Sequence, residues 1–225
     1  MKPLLVALAL LSATPAMAAD RPVVIELFQS QGCSSCPPAN ANLNAIAGRP
    51  DVLALSFGVT YWDQLGWKDT FATKAYTDRQ RAYARALDVQ LGTPEMVVEG
   101  RESLIGADPR EVDAALRRAR PASETRIASA AGRIEIAAGR APKRAADVWL
   151  VRFDPRVQQV SIRRGENGGK TLPHRDIVRQ LTRLGGWNGA TVSFAAPPAS
   201  DPAYRTAVLV QAPNGGPILA AARLD

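Results

Sequence analysis

Cysteine and histidine are scarce in this chain of 225 residues, which contains two cysteines and one histidine. A structural zinc site takes four protein ligands, so these residues are too few to build one of the common type. A serine-hydrolase triad is also hard to assemble, because His174 lies far from any G-x-S-x-G motif. We expect His174 to be an ordinary surface residue. The shortage argues against zinc-dependent and triad-based chemistry.

Long apolar runs are missing as well. The run at residues 4–11 is far shorter than the roughly 20 residues that span a bilayer, and no later run is longer. It follows Lys2 and precedes Ala16-Met17-Ala18, the small-residue pattern of a signal-peptidase site. We therefore predict a signal peptide over residues 1–18, no transmembrane segment after its removal, and a periplasmic or secreted protein. Disulfides persist in such compartments.

Runs of basic residues are absent even though the formal net charge is +7. The positive residues are scattered as pairs, for example Arg117-Arg118 and Arg163-Arg164. No nucleic-acid motif accompanies them, so we interpret them as solvated faces and expect no nucleic-acid partner.

Residues 20–121 alternate between strand and helix patterns. A buried strand at residues 23–28, a helix beginning at Cys33 and a second strand at residues 51–61 predict a βαβ unit with parallel strands. A second helix, capped by Thr77 or Asp78, follows, and a hairpin spans residues 96–105. Asp108 is expected to cap a last helix that ends near residue 120.

Residues 122–225 have a different texture, with alternating strand patterns separated by glycine-rich and proline-rich turns. They predict a mainly antiparallel, sandwich-like β domain. Residues 177–184 fit both a helical and an alternating spacing, and we favour a strand.

The two cysteines, Cys33 and Cys36, form a C-x-x-C pair within SQGCSSCPPA. A cysteine at a helix start has its thiolate stabilised by free backbone N–H groups, which predicts that Cys33 is the nucleophile. Cys36, one turn further in, is expected to be more buried and to resolve a mixed disulfide on Cys33. The alternative is a structural disulfide without a partner.

Two other residues are candidates for a role near the pair. Glu26 lies inside an apolar strand and is a possible proton acceptor; the alternative is a solvent-facing strand residue. Met96 follows Thr93-Pro94 and could join Cys33 and Cys36 in a copper(I) site, although a core role is commoner for methionine. No other metal site and no cofactor is expected.

Several long motifs resemble a secreted bacterial thioredoxin-like family, domain of unknown function 1223. They are VVIELFQSQGCSSCPPAN, YWDQLGWKDTFATKAYTDRQRAYAR, TPEMVVEGR and RGENGGKTL. The resemblance implies an α/β fold with a thioredoxin-like domain over residues 20–121 and a β-rich C-terminal domain over residues 122–225. It implies a thiol-disulfide oxidoreductase that acts on protein or small-molecule thiols and disulfides, together with a redox partner protein.

The same resemblance implies a substrate groove beside the cysteines. Its residues would be Thr93, Pro94, Tyr61, Trp62 and Trp67. Alternatively, the two tryptophans only anchor an inserted loop. In the RGENGG segment, Glu166 and Asn167 stand between glycines that suit a tight loop, whose role is open.

This chain departs from the pattern of the family at four positions. Gly58 and Thr60 stand where the family has histidine and aspartate, and Gly92 and Glu95 where it has tyrosine and glutamine. If the histidine tunes the cysteines, its absence implies slower chemistry or a different partner.

Overall fold

A computed structural model describes residues 21–120 and 125–224. The predicted signal peptide lies outside these residues, and so does the predicted domain boundary between residues 121 and 122. Within the described ranges, no helix is long and apolar enough to cross a membrane.

Three α-helices and thirteen strands make up the described part of the chain. The helices are α1 Cys36–Ile46, α2 Lys74–Leu87 and α3 Pro109–Arg118. The strands are β1 Val23–Gln29, β2 Val52–Gly58, β3 Glu95–Val98, β4 Glu102–Leu104, β5 Ile127–Ala130, β6 Arg133–Ile136, β7 Ala146–Asp154, β8 Gln158–Ser161, β9 Thr171–His174, β10 Ile177–Trp187, β11 Val192–Ala195, β12 Arg205–Gln211 and β13 Ile218–Arg223.

Eight of the strands form one mixed sheet in the order β13-β12-β7-β10-β2-β1-β3-β4. β1 and β2 are parallel, which confirms the predicted βαβ unit, and β3 and β4 form the predicted hairpin antiparallel to β1. β11, β6 and β5 form a small sheet, and β8 pairs only with β9. The protein is thus a mixed α/β protein with a large mixed sheet and few helices.

The sheet joins the two halves of the sequence. Ile177 of β10 pairs in parallel with Ser56 of β2, whose N–H donates to the carbonyl of Asp176 at 2.8 Å. The strand interpretation of residues 177–184 is therefore confirmed. The sheet also curls, since the N–H of Ile218 donates to the carbonyl of Glu99 at 2.9 Å.

Alternation along β1 divides the core between the two faces of the sheet. Val24 and Phe28 belong to a cluster that includes Tyr83 of α2 and residues of β7, β10 and β12. Ile25 and Leu27 face the other way and pack against α1 and α3. α2 and α1 therefore lie on opposite faces of the sheet.

Two predicted helix starts are wrong, while the cap of α3 is confirmed. α1 begins at Cys36 after Ser35, so Cys33 lies in the preceding turn. α2 begins at Lys74, and the side chain of its cap, Thr73, accepts the N–H of Tyr76. Thr77 and Asp78, the predicted caps, both lie inside α2 and so cannot cap its start; the hydroxyl of Thr77 instead contacts that of Thr60. Asp108 caps α3 as predicted.

Gly58 ends β2 at a close approach to the chain at residues 71–72. A Cβ on Gly58 would lie 2.8 Å from the nitrogen of Ala72 and 3.0 Å from the carbonyl carbon of Phe71. Both contacts are with backbone, which cannot rotate away. A histidine at this position, as in the family pattern, would require this segment to move.

We predict that Gly58→Ala lowers the free energy of unfolding by about 1–3 kcal/mol, the usual cost of overpacking. Gly92→Ala is the matched control, because nothing lies within 4 Å of a Cβ at Gly92. Urea unfolding of both variants measures the effect. Equal stability of the two variants would contradict the close approach.

Candidate functional site

Cys33 and Cys36 are joined by a disulfide, with their Cα atoms 5.4 Å apart. The turn between β1 and α1 carries them. The N–H of Cys33 donates to the carbonyl of Ser30 at 3.1 Å, and the N–H of Cys36 donates to the carbonyl of Cys33 at 3.2 Å. The bond thus closes a turn that the backbone already folds tightly.

Both cysteines are buried, with 0% of Cys33 and 2% of Cys36 exposed. The two cysteines are equally buried, so the predicted contrast between Cys33 and a more buried Cys36 is not present. Because α1 begins only at Cys36, Cys33 lies in a turn that other segments of the chain cover. Ser34 and Ser35, between the cysteines, are exposed.

The Thr93-Pro94 turn lies directly against this disulfide, and its peptide bond is cis. The carbonyl oxygen of Thr93 is 3.8 Å from the Sγ of Cys33 and accepts the hydroxyl of Ser35 at 3.4 Å. The indole N–H of Trp62 donates to the hydroxyl of Thr93 at 2.7 Å. Three of the predicted groove residues, Thr93, Pro94 and Trp62, therefore lie together beside Cys33.

Trp67 reaches the same turn from the other side. Its indole N–H donates to the side-chain oxygen of Gln31 at 2.9 Å. Tyr61 lies further out and donates to the side-chain oxygen of Gln80 at 3.2 Å. The amide nitrogen of Gln80 donates in turn to the carbonyl of Gly92 and the carboxylate of Glu95. Gly92 and Glu95 therefore share Gln80 as a hydrogen-bond partner. Both are positions where the chain departs from the family pattern.

Asp69 is a buried residue of the site that the sequence did not single out. Its carboxylate accepts the N–H of Gln31 and the N–H of Phe71, each at 2.7 Å. Burial raises the pKa of Asp69 to about 6. A carboxylate so placed fixes the turn that leads into Cys33. The only sequence signal was its place within the long aromatic motif.

Glu26 is buried, so the alternative of a solvent-facing residue is wrong. Its carboxylate accepts two hydrogen bonds from Arg79, at 2.7 and 3.0 Å, and a third from the hydroxyl of Tyr83. Burial alone would lower the pKa of Arg79, but the Glu26 carboxylate outweighs it and raises that pKa. These partners lie on the α2 face of the sheet, opposite α1.

Met96 lies in the core between the sheet, α1 and α3. Its sulfur packs so tightly on Gly106 that a Cβ there would be 2.5 Å away. The structure thus gives Met96 a packing role. Among the described residues, no group of three or more histidine, cysteine or acidic side chains could hold a metal ion.

The prediction that His174 is a surface residue is wrong, since only 1% of it is exposed. The hairpin of β8 and β9 lies along α1, where Asn40 and Asn44 both donate to the carbonyl of Pro173. The Nδ1 of His174 is 3.2 Å from the amide nitrogen of Asn40. Burial lowers the pKa of His174 to about 4.

The loop at the tip of this hairpin, residues 163–169, meets the cysteine turn. Glu166 accepts the N–H of Ser34 at 3.1 Å. The amide nitrogen of Asn167 donates to the carbonyls of Gln31 and Cys33, at 3.0 and 2.8 Å. The sequence marked this loop by its glycines, but not its contact with the cysteines.

Fold and site together define a mixed α/β protein that carries a C-x-x-C disulfide immediately before a helix. The family described as "Protein of unknown function (DUF1223)" matches residues 24–211. The chain belongs to this family.

Two solved structures are similar to the chain. The X-ray structure of protein AGR_C_4864 from Agrobacterium tumefaciens is 32% identical, with a TM-score of 0.73, and the match covers 90% of this chain and 93% of that one. HBP35 of Porphyromonas gingivalis is 14% identical, with a TM-score of 0.57 and coverage of 91% and 74%, which is a likeness of fold alone. No curated protein matches the chain.

We predict that acidification weakens the fold through His174. Its pKa is lowered in the folded state, so its contribution is present above the unfolded value of about 6.5 and is lost as pH falls toward about 4. The free energy of unfolding of the native protein, minus that of the His174→Phe variant, should decrease by up to about 3 kcal/mol as pH falls across this range.

Urea unfolding of both proteins at several pH values measures this difference. Asp69, whose pKa is raised, acts in the opposite direction in the same range, but it is present in both proteins and cancels. A difference that does not change with pH would show that His174 is protonated equally in the folded and unfolded states.

Proposed function

We propose that the protein is a thioredoxin-like thiol-disulfide oxidoreductase of the periplasm or another secreted location. The proposal depends on one observation. The Cys33–Cys36 disulfide lies at the start of α1 and beside the Thr93-Pro94 turn. The strand order β2-β1-β3-β4, with α1 and α3 on one face and α2 on the other, supports a thioredoxin-like unit over residues 20–121. Residues 122–225 are then the β-rich C-terminal part.

The reaction is an exchange of two electrons. A thiolate of a reduced partner attacks the Sγ of Cys33, the bond to Cys36 breaks, and Cys36 leaves as a thiolate. A second partner thiolate then attacks the partner's sulfur in the mixed disulfide and releases Cys33. The partner becomes a disulfide and the protein a dithiol. In the reverse direction, Cys33 attacks a disulfide and Cys36 resolves the intermediate.

Access to Cys33 is restricted by the segments that cover it. Thr93 and Trp62 lie on one side of the cysteine turn and the loop at residues 163–169 on another. Because Cys33 is buried, a partner reaches it only after part of this cover moves. The exposed Ser34 and Ser35 mark the side from which a partner approaches. The proton-acceptor role of Glu26 stays a prediction. Its ion pair with Arg79 also gives Glu26 a structural role.

The burial of both sulfur atoms favours a second candidate function. In it, the protein is a non-catalytic interaction module on the same scaffold, and the disulfide only staples the turn. A copper(I)-binding module is the variant of this candidate in which the reduced cysteines and Met96 take the ion. That variant requires Met96 to leave its place against Gly106.

Alkylation of the reduced protein separates these functions. We predict that Cys33 reacts at neutral pH far faster than Cys36, because Cys33 lies in the turn directly before α1, where the positive end of the helix dipole favours its thiolate. Cys36→Ser should form a lasting mixed disulfide with oxidised glutathione, while the matched Cys33→Ser should not.

Equal, slow labelling of both thiols would support the stapled module. Retention of one equivalent of copper(I) by the reduced protein, in competition with a chelator, would support the metal-binding module. Either result would overturn the oxidoreductase proposal.

A further inference from the structure

The loop at residues 163–169, here called the clamp loop, is built as a rigid tip. Its base is closed by two backbone bonds, from Ile162 to Lys170 at 2.9 Å and from Gly169 to Ile162 at 2.8 Å. Inside it, the N–H of Gly168 donates to the carbonyl of Gly165 at 3.0 Å. The hairpin behind it is held on α1 through Pro173. The clamp loop therefore presents its side chains from a fixed position.

Asn167 is the buried centre of the contact with the cysteines. Its amide nitrogen donates to two carbonyls of the cysteine turn, those of Gln31 and Cys33, which flank Gly32. Its side-chain oxygen accepts a hydrogen bond from the ammonium group of Lys170 at 3.0 Å. The side chain thus satisfies its polar atoms by holding the turn in its disulfide-bonded shape.

Glu166 acts on the same turn through charge. Its carboxylate accepts the N–H of Ser34, the residue that follows Cys33. This bond lowers the pKa of Glu166, which is therefore ionised at neutral pH. A Cys33 thiolate would draw its stability from the positive end of α1 and from backbone N–H groups of the turn that precedes it. Glu166 occupies one of these N–H groups, that of Ser34, and places a negative charge next to the residue that follows Cys33.

We propose that the clamp loop biases the Cys33–Cys36 pair toward the disulfide, so that the reduced protein is an electron donor. Glu166 disfavours the thiolate that reduction produces, and Asn167 resists the opening of the turn that follows loss of the bond. The inference rests on the proposed function and adds a direction of electron flow to it.

Other charged groups also face the cysteine turn. Asp69 accepts the N–H of Gln31, and Lys170 lies behind Asn167. Asp63 is one step further away, where its carboxylate accepts the N–H of Asp69. Lys170 opposes the charge of Glu166 and Asp69 adds to it, so the effect of Glu166 is measured by changing that residue alone.

The test is the equilibrium in which the protein disulfide and two glutathione molecules give the protein dithiol and one glutathione disulfide. Glu166→Gln keeps an acceptor for Ser34 and removes the charge. We expect its reduction constant to rise about fivefold, which is about 20 mV, because a negative charge that opposes the Cys33 thiolate is removed. The pKa of the Cys33 thiol should fall for the same reason.

Two further comparisons distinguish a charge effect from a structural one. Glu111→Gln, a change of an exposed carboxylate on α3, should leave the reduction constant unchanged. The effect of Glu166→Gln should shrink at 1 M salt, where the screening length falls to about 3 Å. Asn167→Ala should also raise the reduction constant, and it should lower the unfolding free energy of the oxidised protein more than that of the reduced protein.

Reaction mixtures that start from the oxidised protein and from the reduced protein must reach the same ratio of dithiol to disulfide before the reduction constant is calculated. Unchanged reduction constants for Glu166→Gln and Asn167→Ala would overturn the clamp. Failure of the oxidoreductase proposal is a separate result, because it shows as absence of the mixed disulfide in Cys36→Ser while these equilibria still shift.

Discussion

The arrangement of the whole molecule depends on one parallel pairing, between Ser56 of β2 and Ile177 of β10. β2 is the sheet neighbour of β1, from which the chain runs into the cysteine turn and α1. The hairpin of β8 and β9 comes directly before β10 in the chain. Fixing β10 beside β2 therefore sets this hairpin on α1 and its tip on the cysteine turn, 134 residues away in sequence.

The opposite face of the sheet is organised by charge in its interior. Glu26 on β1, Arg79 on α2 and Gln211 on β12 are joined through hydrogen bonds that also include Tyr83. A buried ion pair contributes little net stability, because desolvation offsets the attraction, but loss of one partner typically costs about 3–5 kcal/mol. The network therefore connects α2 to β1 and to β12 through buried polar contacts.

The cysteine pair is enclosed by segments from across the chain. Trp62, Trp67, Asp69, Thr93 and Asn167 each contribute a polar contact to the turn or to the residue beside it. Such a shell fixes the geometry of the turn and the electrostatics around the sulfur atoms together. It also makes access the variable that separates an exchange enzyme from a stapled module.

Features that depend on neighbouring residues could be predicted without the structure: β1, the βαβ unit, the hairpin of β3 and β4, the cap of α3 and the family motifs around Cys33. Alternation, helix caps and turn residues act over a few positions, so they can be recognised in the sequence alone. The burial of Cys33 and His174, the partners of Glu26 and the contact of Asn167 with the cysteine turn could be learned only from the folded chain. Burial and pairing depend on segments that are distant in the sequence. The residue pattern of one segment does not indicate which distant segment will pack against it.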